Sequence, residues 1–232
     1  MSHDPYPTTP RQFPDPGGPL RQLAEPQTIL VLAPHTDDGE LGAGGSIARW
    51  ASEGRDIHYV AFSACQTAIP DGWPEDILRS EVAAATNVLG ITPERLRVLD
   101  FDVRRFARDR QEILQAMIDL NAELSPDLVL MPTPDDLHQD HSIVGQEGLR
   151  AFKRTSILAY EIAWNNVSFK TSCFVRLDEA HVQAKVDALR CYKSQADRPY
   201  ADPDFLRSQV RYHGVQAGVT YAETFDVLRW IL

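Results

Sequence analysis

The sequence predicts an α/β fold with a doubly wound, mainly parallel sheet and helices on both faces. Short apolar runs such as 28–33 and 127–131 are continuous rather than alternating, which is typical of strands buried on both faces. Segments with helical periodicity separate these runs, as in successive βαβ units. Clusters of His and Asp directly follow two of the runs, and open α/β sheets bind their ligands at the carboxyl ends of the strands.

The predicted elements alternate in order along the chain. Strands are expected at 28–33, 57–62, 96–99, 127–131, 157–160 and 172–176, with a final β element at the periphery over 222–231. Helices are expected over 44–54, 74–89, 110–124, 142–152 and 178–192. The second helix has apolar residues on one face and ends at Gly90, and the third is amphipathic. Asp178 is expected to cap the last helix.

The first 25 residues differ in composition from the rest of the chain. Residues 1–26 contain seven of the sixteen prolines and little apolar periodicity. Because proline lacks a backbone donor, this segment cannot form a regular helix or a central strand. We expect an extended arm over 1–25 and a single domain over 26–232. The arm could lie on the domain surface, contact a second copy in a homo-oligomer, or be a disordered leader.

Composition excludes several classes of partner. The formal charge of −10 and the pI near 5.1 argue against binding to nucleic acid or to an anionic membrane surface. No apolar run approaches the length of a membrane span. Three cysteines far apart in sequence, Cys65, Cys173 and Cys191, predict reduced thiols. With no basic-then-apolar segment at the N-terminus, these features predict a cytoplasmic protein.

The first polar cluster is His35-Thr36-Asp37-Asp38, which directly follows the run 28–33 and one proline. His35 and Asp38 are three residues apart on a turn, close enough to bind one ion. Asp37 can point at the position that the ion leaves open. Two adjacent aspartates repel each other unless a cation or hydrogen-bond donors offset their charge. The cluster indicates a metal site, and the alternative is that an aspartate only caps the next helix.

The second cluster, His138-Gln139-Asp140-His141, follows the run 127–131 and two prolines. His141 is the expected third metal ligand. His138 can donate a hydrogen bond to an oxyanion or protonate a leaving group. Asp140 can orient a histidine by accepting a hydrogen bond from the ring nitrogen that does not bind the metal. Two imidazoles, one carboxylate and a position left for water describe a hydrolytic zinc site, which predicts a metal-dependent hydrolase.

Residues near the clusters are expected to have packing roles. Gly42, Gly44 and Gly45 should let the start of a helix pack closely against the metal loop. Their spacing does not match a phosphate-binding loop. Trp164 is assigned to core packing rather than to a sugar pocket.

Both clusters carry a family resemblance. Pro34-His35-Thr36-Asp37-Asp38, continuing through Leu41-Gly42 and Gly44-Gly45, resembles the signature of the PIG-L (LmbE-like) N-acetylglucosaminyl deacetylases, and residues 138–141 match that family's second motif. Three shorter runs agree with it: Arg79-Ser80-Glu81 leading to Leu89-Gly90, Tyr192-Lys193-Ser194-Gln195, and Tyr221-Ala222-Glu223-Thr224-Phe225. Together the matches extend from residue 28 to about 226.

The resemblance implies a Rossmann-like fold that removes an N-acetyl group from an amino sugar or its conjugate. It implies one zinc ion held by His35, Asp38 and His141. Asp37 would be the general base, and His138, as an imidazolium, would stabilise or protonate the tetrahedral intermediate. By position, Arg79 and Asp102 look like the family's substrate-contacting residues.

The sequence departs from the family pattern at three positions. Thr36 stands where the family usually has proline, and Gly39 where it usually has glutamate. Neither change removes a ligand, so activity is expected to survive. Asp136 stands where some members have tyrosine, which leaves the identity of the amino sugar open.

Several alternatives also stay open. A phosphoesterase would use similar ligands but normally two metal ions, and a non-catalytic sugar-binding protein would not need a general base. Ferrous iron or cobalt could replace zinc. Either Asp37 or His138 could protonate the leaving amine. Substrate selectivity is expected to lie in the loops 66–75, 100–108 and 162–172.

Overall fold

A computed structural model describes residues 26–231, and the expected arm over 1–25 lies outside them. The strands are β1 (Thr28–Ala33), β2 (Asp56–Ala61), β3 (Leu96–Val98), β4 (Leu128–Pro132), β5 (Ser156–Tyr160), β6 (Cys173–Leu177) and β7 (Tyr221–Arg229). The helices are α1 (Asp38–Ser52), α2 (Ile77–Val88), α3 (Arg110–Leu124), α4 (Gln139–Ala151), α5 (Glu179–Leu189) and α6 (Pro203–Ala217). The predicted α/β class is confirmed.

The described strands form one sheet of seven in the order β3-β2-β1-β4-β5-β7-β6. The first five are parallel to one another, and β7 is antiparallel to both of its neighbours. From β1 the chain builds outward through β2 and β3, and it then returns to the other side of β1 to add β4 and β5. The carboxyl ends of β1 and β4 therefore flank the crevice where an open α/β sheet binds its ligand.

The prediction of a peripheral last strand is wrong. β7 lies inside the sheet and pairs with β5 on one side and β6 on the other. Its residues Ala222–Phe225 are buried, because both neighbouring strands and the helices above cover them. The partners of β7 are 44 or more residues away in sequence, as in the pairs Leu177↔Tyr221 and Leu158↔Val227, and local sequence does not encode that pairing.

Two hydrophobic layers cover the two faces of the sheet. Alternate residues of β1 point to opposite sides, as the pleat requires: Ile29 and Val31 belong to one cluster, and Leu30 and Leu32 to the other. α1, α2, α5 and α6 pack on the first face, and α3 and α4 on the second. Among the described helices, none is long and apolar enough to cross a membrane.

Helix α1 begins at Asp38, six residues before the predicted start at 44. The prediction placed the glycines at the helix start, but they lie inside its first turns. A Cβ at Gly42 would be 2.3 Å from Cδ2 of Tyr160, and one at Gly44 would be 3.1 Å from Cγ of Lys185. The glycines thus let a buried helix approach its neighbours closely, as expected, and that packing offsets their low helix propensity.

Helix α6 was not predicted from the sequence, although its ends carry recognisable signals. The Asp202 side chain accepts hydrogen bonds from the backbone N–H groups of Asp204 and Phe205 at 2.8 and 3.1 Å. Pro203 occupies the first helical position, and Gly218 ends the helix with φ = 70°. These are the preferred residues for an N-cap, a first turn and a left-handed C-terminal cap.

Candidate metal centre and substrate pocket

The two polar clusters meet at the carboxyl ends of β1 and β4, as predicted. The chain leaves β1 and supplies His35, Asp37 and Asp38 before and at the start of α1. The segment after β4 supplies His138, which caps α4, and His141 in its first turn. Because β1 and β4 are adjacent parallel strands, residues about a hundred positions apart in sequence come into contact.

Three side-chain atoms form a nearly equilateral triangle. Oδ2 of Asp38 lies 3.1 Å from Nδ1 of His35 and 3.2 Å from Nε2 of His141, and these two nitrogens are 3.2 Å apart. In a tetrahedral zinc site with bonds of about 2.0–2.1 Å, neighbouring ligand atoms are about 3.3 Å apart. The three atoms therefore fit a single divalent cation, with the fourth direction left for water or substrate.

A second donor set, His35, His138 and His141, also converges, with ligand atoms within 4.8 Å of one another. This separation is wider than the Asp38 triangle and wider than a tetrahedral edge. Nδ1 of His138 accepts a hydrogen bond from the backbone N–H of Asp140 at 3.2 Å, which occupies that nitrogen. The set containing Asp38 fits a small cation better, and His138 is left beside it.

In each of the two histidines of the triangle, the ring nitrogen that faces away from the triangle contacts a carboxylate. Nε2 of His35 lies 3.2 Å from Oδ2 of Asp140, and Nδ1 of His141 lies 3.1 Å from Oδ2 of Asp136. A carboxylate on the outer nitrogen fixes the proton there and leaves the inner nitrogen free to bind metal. The orienting role expected for Asp140 is thus directed at His35. The matching role of Asp136 was missed in the sequence.

Burial and charge explain the protonation of the triangle. Burial opposes ionisation of Asp38, but His141 and His35 outweigh it and hold the pKa of Asp38 well below its usual range. Burial also opposes a charged His141, but Asp38 and Asp136 raise the pKa of His141 to about 10. The raised pKa of His141 and the lowered pKa of Asp38 both show that a positive charge is favoured between these side chains. A cation bound there would displace any proton on these ligands, since metals bind the deprotonated forms.

Asp37 lines the same pocket and is only half-buried. Burial, together with the neighbouring charge of Asp38, raises the pKa of Asp37 to about 6. A carboxylate with a pKa near the working pH is suited to accept and return a proton.

The surroundings of His138 act on its protonation. Burial, with His35 and His141 nearby, lowers the pKa of His138 to about 4. The ring is therefore neutral near pH 7. Because Nδ1 accepts the backbone N–H of Asp140, the hydrogen of the neutral ring lies on Nε2. In this neutral form His138 can donate one hydrogen bond, and the imidazolium implied by the family resemblance stays a prediction.

The loop between β1 and α1 is fixed from its buried side. The backbone carbonyl of Thr36 accepts hydrogen bonds from the phenols of Tyr59 and Tyr192 at 2.9 and 2.7 Å. The same phenols contact the carboxyl group of Glu40, and the backbone N–H of Gly39 donates to Tyr59 Oη at 3.1 Å. All five residues are buried. This network, which we call the Thr36 clamp, holds the peptide next to Asp37 in place.

The weaker family matches also have structural roles. The carboxylate of Glu81 accepts from the backbone N–H and hydroxyl of Ser194 at 2.9 and 2.6 Å. Glu223 pairs with Lys185 at 2.6 Å and accepts the N–H of Gly45 at 3.0 Å. Both carboxylates are buried. They anchor the segment after α5 and the first half of α1 beneath the pocket.

Arg79 and Asp102, the expected substrate contacts, do not line this pocket. Arg79 donates to the carbonyl of Val98 and pairs with Asp100, while Asp102 pairs with Arg108 at 2.9 Å. Their role toward substrate stays a prediction.

The pocket has a volume of about 170 Å³, below the ~300 Å³ from which ligand pockets usually begin. It holds part of a ligand and leaves the remainder at the rim. Lining residues outside the triangle come from several loops: Cys65, Ala68, Val103, Arg104, Trp164, Asn165, Gln195, Arg198 and Tyr200. The three loops expected to set selectivity all contribute to this lining. The segment 195–200 was not expected.

The assignment of Trp164 to the core is wrong. Its side chain is 44% exposed and lines the pocket. The ring stacks on Tyr200, with centroids 4.0 Å apart and planes at 16°. Trp164 lies after β5 and Tyr200 between α5 and α6, so only the folded chain brings the two rings together.

Comparison with known proteins supports the resemblance. The family model "PIG-L: GlcNAc-PI de-N-acetylase" matches residues 30–152. Diacetylchitobiose deacetylase from Thermococcus kodakarensis is 26% identical over 219 residues, covering 84% of this chain and 80% of the relative. The uncharacterized deacetylase YaiS from Escherichia coli is 30% identical over 173 residues, covering 72% of this chain and 90% of the relative.

Solved structures show the same fold. N,N'-diacetylchitobiose deacetylase from Pyrococcus horikoshii superposes with a TM-score of 0.74 at 21% identity, covering 88% of this chain and 84% of the other. The 4-carboxy-2-hydroxymuconate hydratase GalB from Pseudomonas putida gives a TM-score of 0.71 at 21% identity, covering 89% and 98%. At this identity the likeness establishes the fold alone. The family model covers over half of the chain, so the protein belongs to the PIG-L family, a family of deacetylases.

Proposed function

We propose that the protein is a metal-dependent N-deacetylase that hydrolyses the acetamide of an N-acetylglucosamine-type sugar to acetate and a free amine. The observation that carries this proposal is the triangle of His35, Asp38 and His141 with Asp37 and His138 beside it in one pocket. The arrangement contains a cation site, a base and a hydrogen-bond donor, which are the groups that amide hydrolysis requires.

The donor set supports zinc as the metal, one per chain, held by Nδ1 of His35, Oδ2 of Asp38 and Nε2 of His141. Ferrous iron and cobalt also bind such sets. When bound, the cation polarises the amide carbonyl and lowers the pKa of water from ~15.7 toward ~7.

The protein side chains carry the proton transfers. Asp37 takes a proton from the attacking water, and Nε2–H of His138 donates a hydrogen bond to the developing oxyanion. Loss of one such donor typically costs about 10²- to 10³-fold in kcat. Full transfer of the His138 proton to the amine would leave an anionic ring, because Nδ1 is held by a backbone N–H. We therefore infer that Asp37 returns its proton to the leaving amine.

The pocket rim supports a sugar substrate. The stacked rings of Trp164 and Tyr200 offer an apolar surface, and Asn165 and Gln195 offer amide groups beside it. Sugars present apolar ring faces and polar edges, and aromatic side chains combine both properties at exposed positions. The two diacetylchitobiose deacetylases among the similar proteins act on a substrate of this class according to their names.

The test is acetate release by zinc-loaded protein from a panel of N-acetylglucosamine derivatives, with Asp37→Asn as the matched variant. We expect release by the wild type and a loss of at least ~10²-fold in kcat in the variant, with zinc content unchanged. Full activity of Asp37→Asn would remove Asp37 from the mechanism. No release from any derivative would favour a non-catalytic sugar-binding protein over a deacetylase.

Two further outcomes would redirect the proposal. Two metal ions per chain would favour a phosphoesterase. Turnover of 4-carboxy-2-hydroxymuconate without acetate release would favour a hydratase such as the Pseudomonas putida enzyme, whose fold is shared.

We also infer that residues 26–232 form one domain and that the protein is cytoplasmic. Cys65, Cys173 and Cys191 are all free thiols, which supports a reducing compartment. Size-exclusion chromatography of the full chain, and of a variant lacking 1–25, would test a homo-oligomer formed through the arm.

A further inference from the structure

We propose that residues 19–25, which come directly before the first described residue, dock in a groove at the opposite edge of the sheet from the metal centre. The lining of this groove includes Pro26, Gln27, Trp230 and Ile231. The occupant is a segment of the same chain, not a second molecule. The inference concerns a separate surface, so it does not depend on the proposed deacetylase function.

The groove lies at the amino-terminal ends of the central parallel strands. Leu128 and Ser156 are the first residues of β4 and β5, and both line the groove. The metal centre lies at the carboxyl ends of β1 and β4, so the two sites are on opposite edges of the sheet. No described residue lines both cavities. The groove is therefore a separate site that the proposed chemistry does not use.

The groove is larger than the catalytic pocket and exposes apolar surface. Its volume is about 810 Å³, within the ~300–1,000 Å³ of typical ligand pockets. Trp230 and Ile231 are 41% and 47% exposed, and covering such surface is favourable because it removes apolar area from water. Asn121 and Arg154 lie in the same lining, where their side chains can hydrogen-bond to the backbone of a bound segment.

The chain enters the domain at this groove. Oδ2 of Asp127 accepts the backbone N–H groups of Gln27 and Thr28, each at 3.0 Å. The backbone N–H of Asp127 donates in turn to the carbonyl of Thr28 at 2.9 Å. These hydrogen bonds fix the chain next to Pro26, which is already part of the lining. The segment before Pro26 therefore starts at the groove.

The sequence before Pro26 supplies groups that match the lining. Leu20 and Leu23 are the large apolar residues of the segment. Because an extended chain spans at most ~3.6 Å per residue, Leu23 lies within about 11 Å of Pro26 and Leu20 within about 22 Å. Both leucines can therefore cover the exposed apolar side chains of the groove. Glu25 has a charge opposite to that of Arg154 in the lining.

Covalent attachment favours this segment over other occupants. A segment joined through a short connection has an effective concentration on the order of millimolar at its site, whereas a second copy competes only at its concentration in solution. No long loop must close before the segment docks, so little chain entropy is lost. Pro19 and Pro26 at the two ends reduce that loss further, because proline restricts the undocked chain.

Trypsin cleavage of the full chain tests the docking through two matched bonds. Arg21–Gln22 lies inside the proposed segment, and Arg11–Gln12 lies outside it with the same two residues at the cleaved bond. In the wild type we expect cleavage after Arg21 to be at least about tenfold slower than after Arg11, because cleavage requires the segment to open. Trp230→Ala should bring the two rates close together. Trp73→Ala, a tryptophan of similar exposure that does not line the groove, should not.

Thermal unfolding tests the contact between the leucines and the groove. The arm variant, Leu20→Ser with Leu23→Ser, and the groove variant Trp230→Ala should each lower the Tm by about 2–4 °C, since each loses buried apolar surface. Their combination should lower the Tm by less than the sum, because substitutions of residues in contact are not additive. The arm variant combined with Trp73→Ala should instead give additive losses.

The outcomes separate docking within the chain from the alternatives. Equal cleavage after Arg11 and Arg21 in the wild type, or additive Tm losses with Trp230→Ala, would overturn the proposal. Protection of Arg21 that falls on dilution, with a shift to a smaller species in size-exclusion chromatography, would assign the groove to the arm of a second copy and also overturn it. Protection and Tm that are independent of concentration support it. None of these measurements requires turnover, so they decide the proposal whatever acetate release shows.

Discussion

Replacing Asp136 with asparagine should weaken zinc binding by about 10- to 100-fold. Asp136 is buried, and its two oxygens serve different partners. Oδ1 accepts the backbone N–H of His138 at 2.8 Å, while Oδ2 lies 3.1 Å from Nδ1 of His141 and accepts from Asn166 at 3.2 Å. The asparagine amide has only one acceptor oxygen. In either orientation of the amide, the backbone N–H of His138 or Nδ1 of His141 therefore loses its acceptor.

Both orientations are costly for zinc binding. If the amide NH₂ faces His141, the imidazole proton must move to Nε2, which is the nitrogen that faces the triangle. If the amide NH₂ faces the backbone N–H of His138, two donors meet in a buried site, which costs about 1–3 kcal/mol. That penalty corresponds to roughly 10- to 100-fold in an equilibrium constant.

The assay is a competition titration against a chelator of known zinc affinity, with Asp135→Asn as the matched control. Asp135 is adjacent and exposed, and its side chain does not contact the histidines in the described structure. Zinc affinity of Asp136→Asn within about twofold of wild type would refute the reasoning, as would an equal loss in Asp135→Asn. Denaturant unfolding of the zinc-free proteins would show whether a loss reflects the site or the fold.

Three further predictions concern stability. Tyr192→Phe removes a buried hydroxyl that contacts two acceptors of the Thr36 clamp and should lower the free energy of unfolding by about 1–3 kcal/mol, measured in urea; an unchanged value would refute the clamp. Gly42→Ala should destabilise by about 1–3 kcal/mol, because its Cβ would lie 2.3 Å from the Tyr160 ring; a higher Tm would contradict this. Burial lowers the pKa of His213, but the ion pair with Glu161 raises it by more, so the pKa in the folded protein is above the usual value. The ion pair therefore stabilises the folded state fully below the unfolded pKa of ~6.5. This stabilisation is lost as the pH rises through the folded pKa. Glu161→Gln should abolish this alkaline loss in urea titrations at pH 6 and 8.

The strands were predictable because their signal is local. The runs that became β1 and β4 are buried on both faces, and continuous apolar sequence is sufficient to indicate that environment. The start of α1 was not predictable from propensity, because four glycines in its first turns disfavour a helix in isolation. The helix packs so closely against Tyr59, Tyr160 and Leu177 that a Cβ at Gly39, Gly42 or Gly45 would clash with them, and this packing overrides the preference.

The sequence by itself predicts a cation site, because His35 and Asp38 follow one buried strand and His141 follows another. The tertiary structure decided which groups act on that centre from elsewhere. Asp136 became the partner of His141, and Arg104 and Arg198 came to one pocket from separate loops. The physical reason is that each polar cluster lies on a short stretch of chain after a buried strand, and both the strand and the cluster are encoded locally. The hydrogen bonds and charges around the centre depend on which distant segments the sheet brings together.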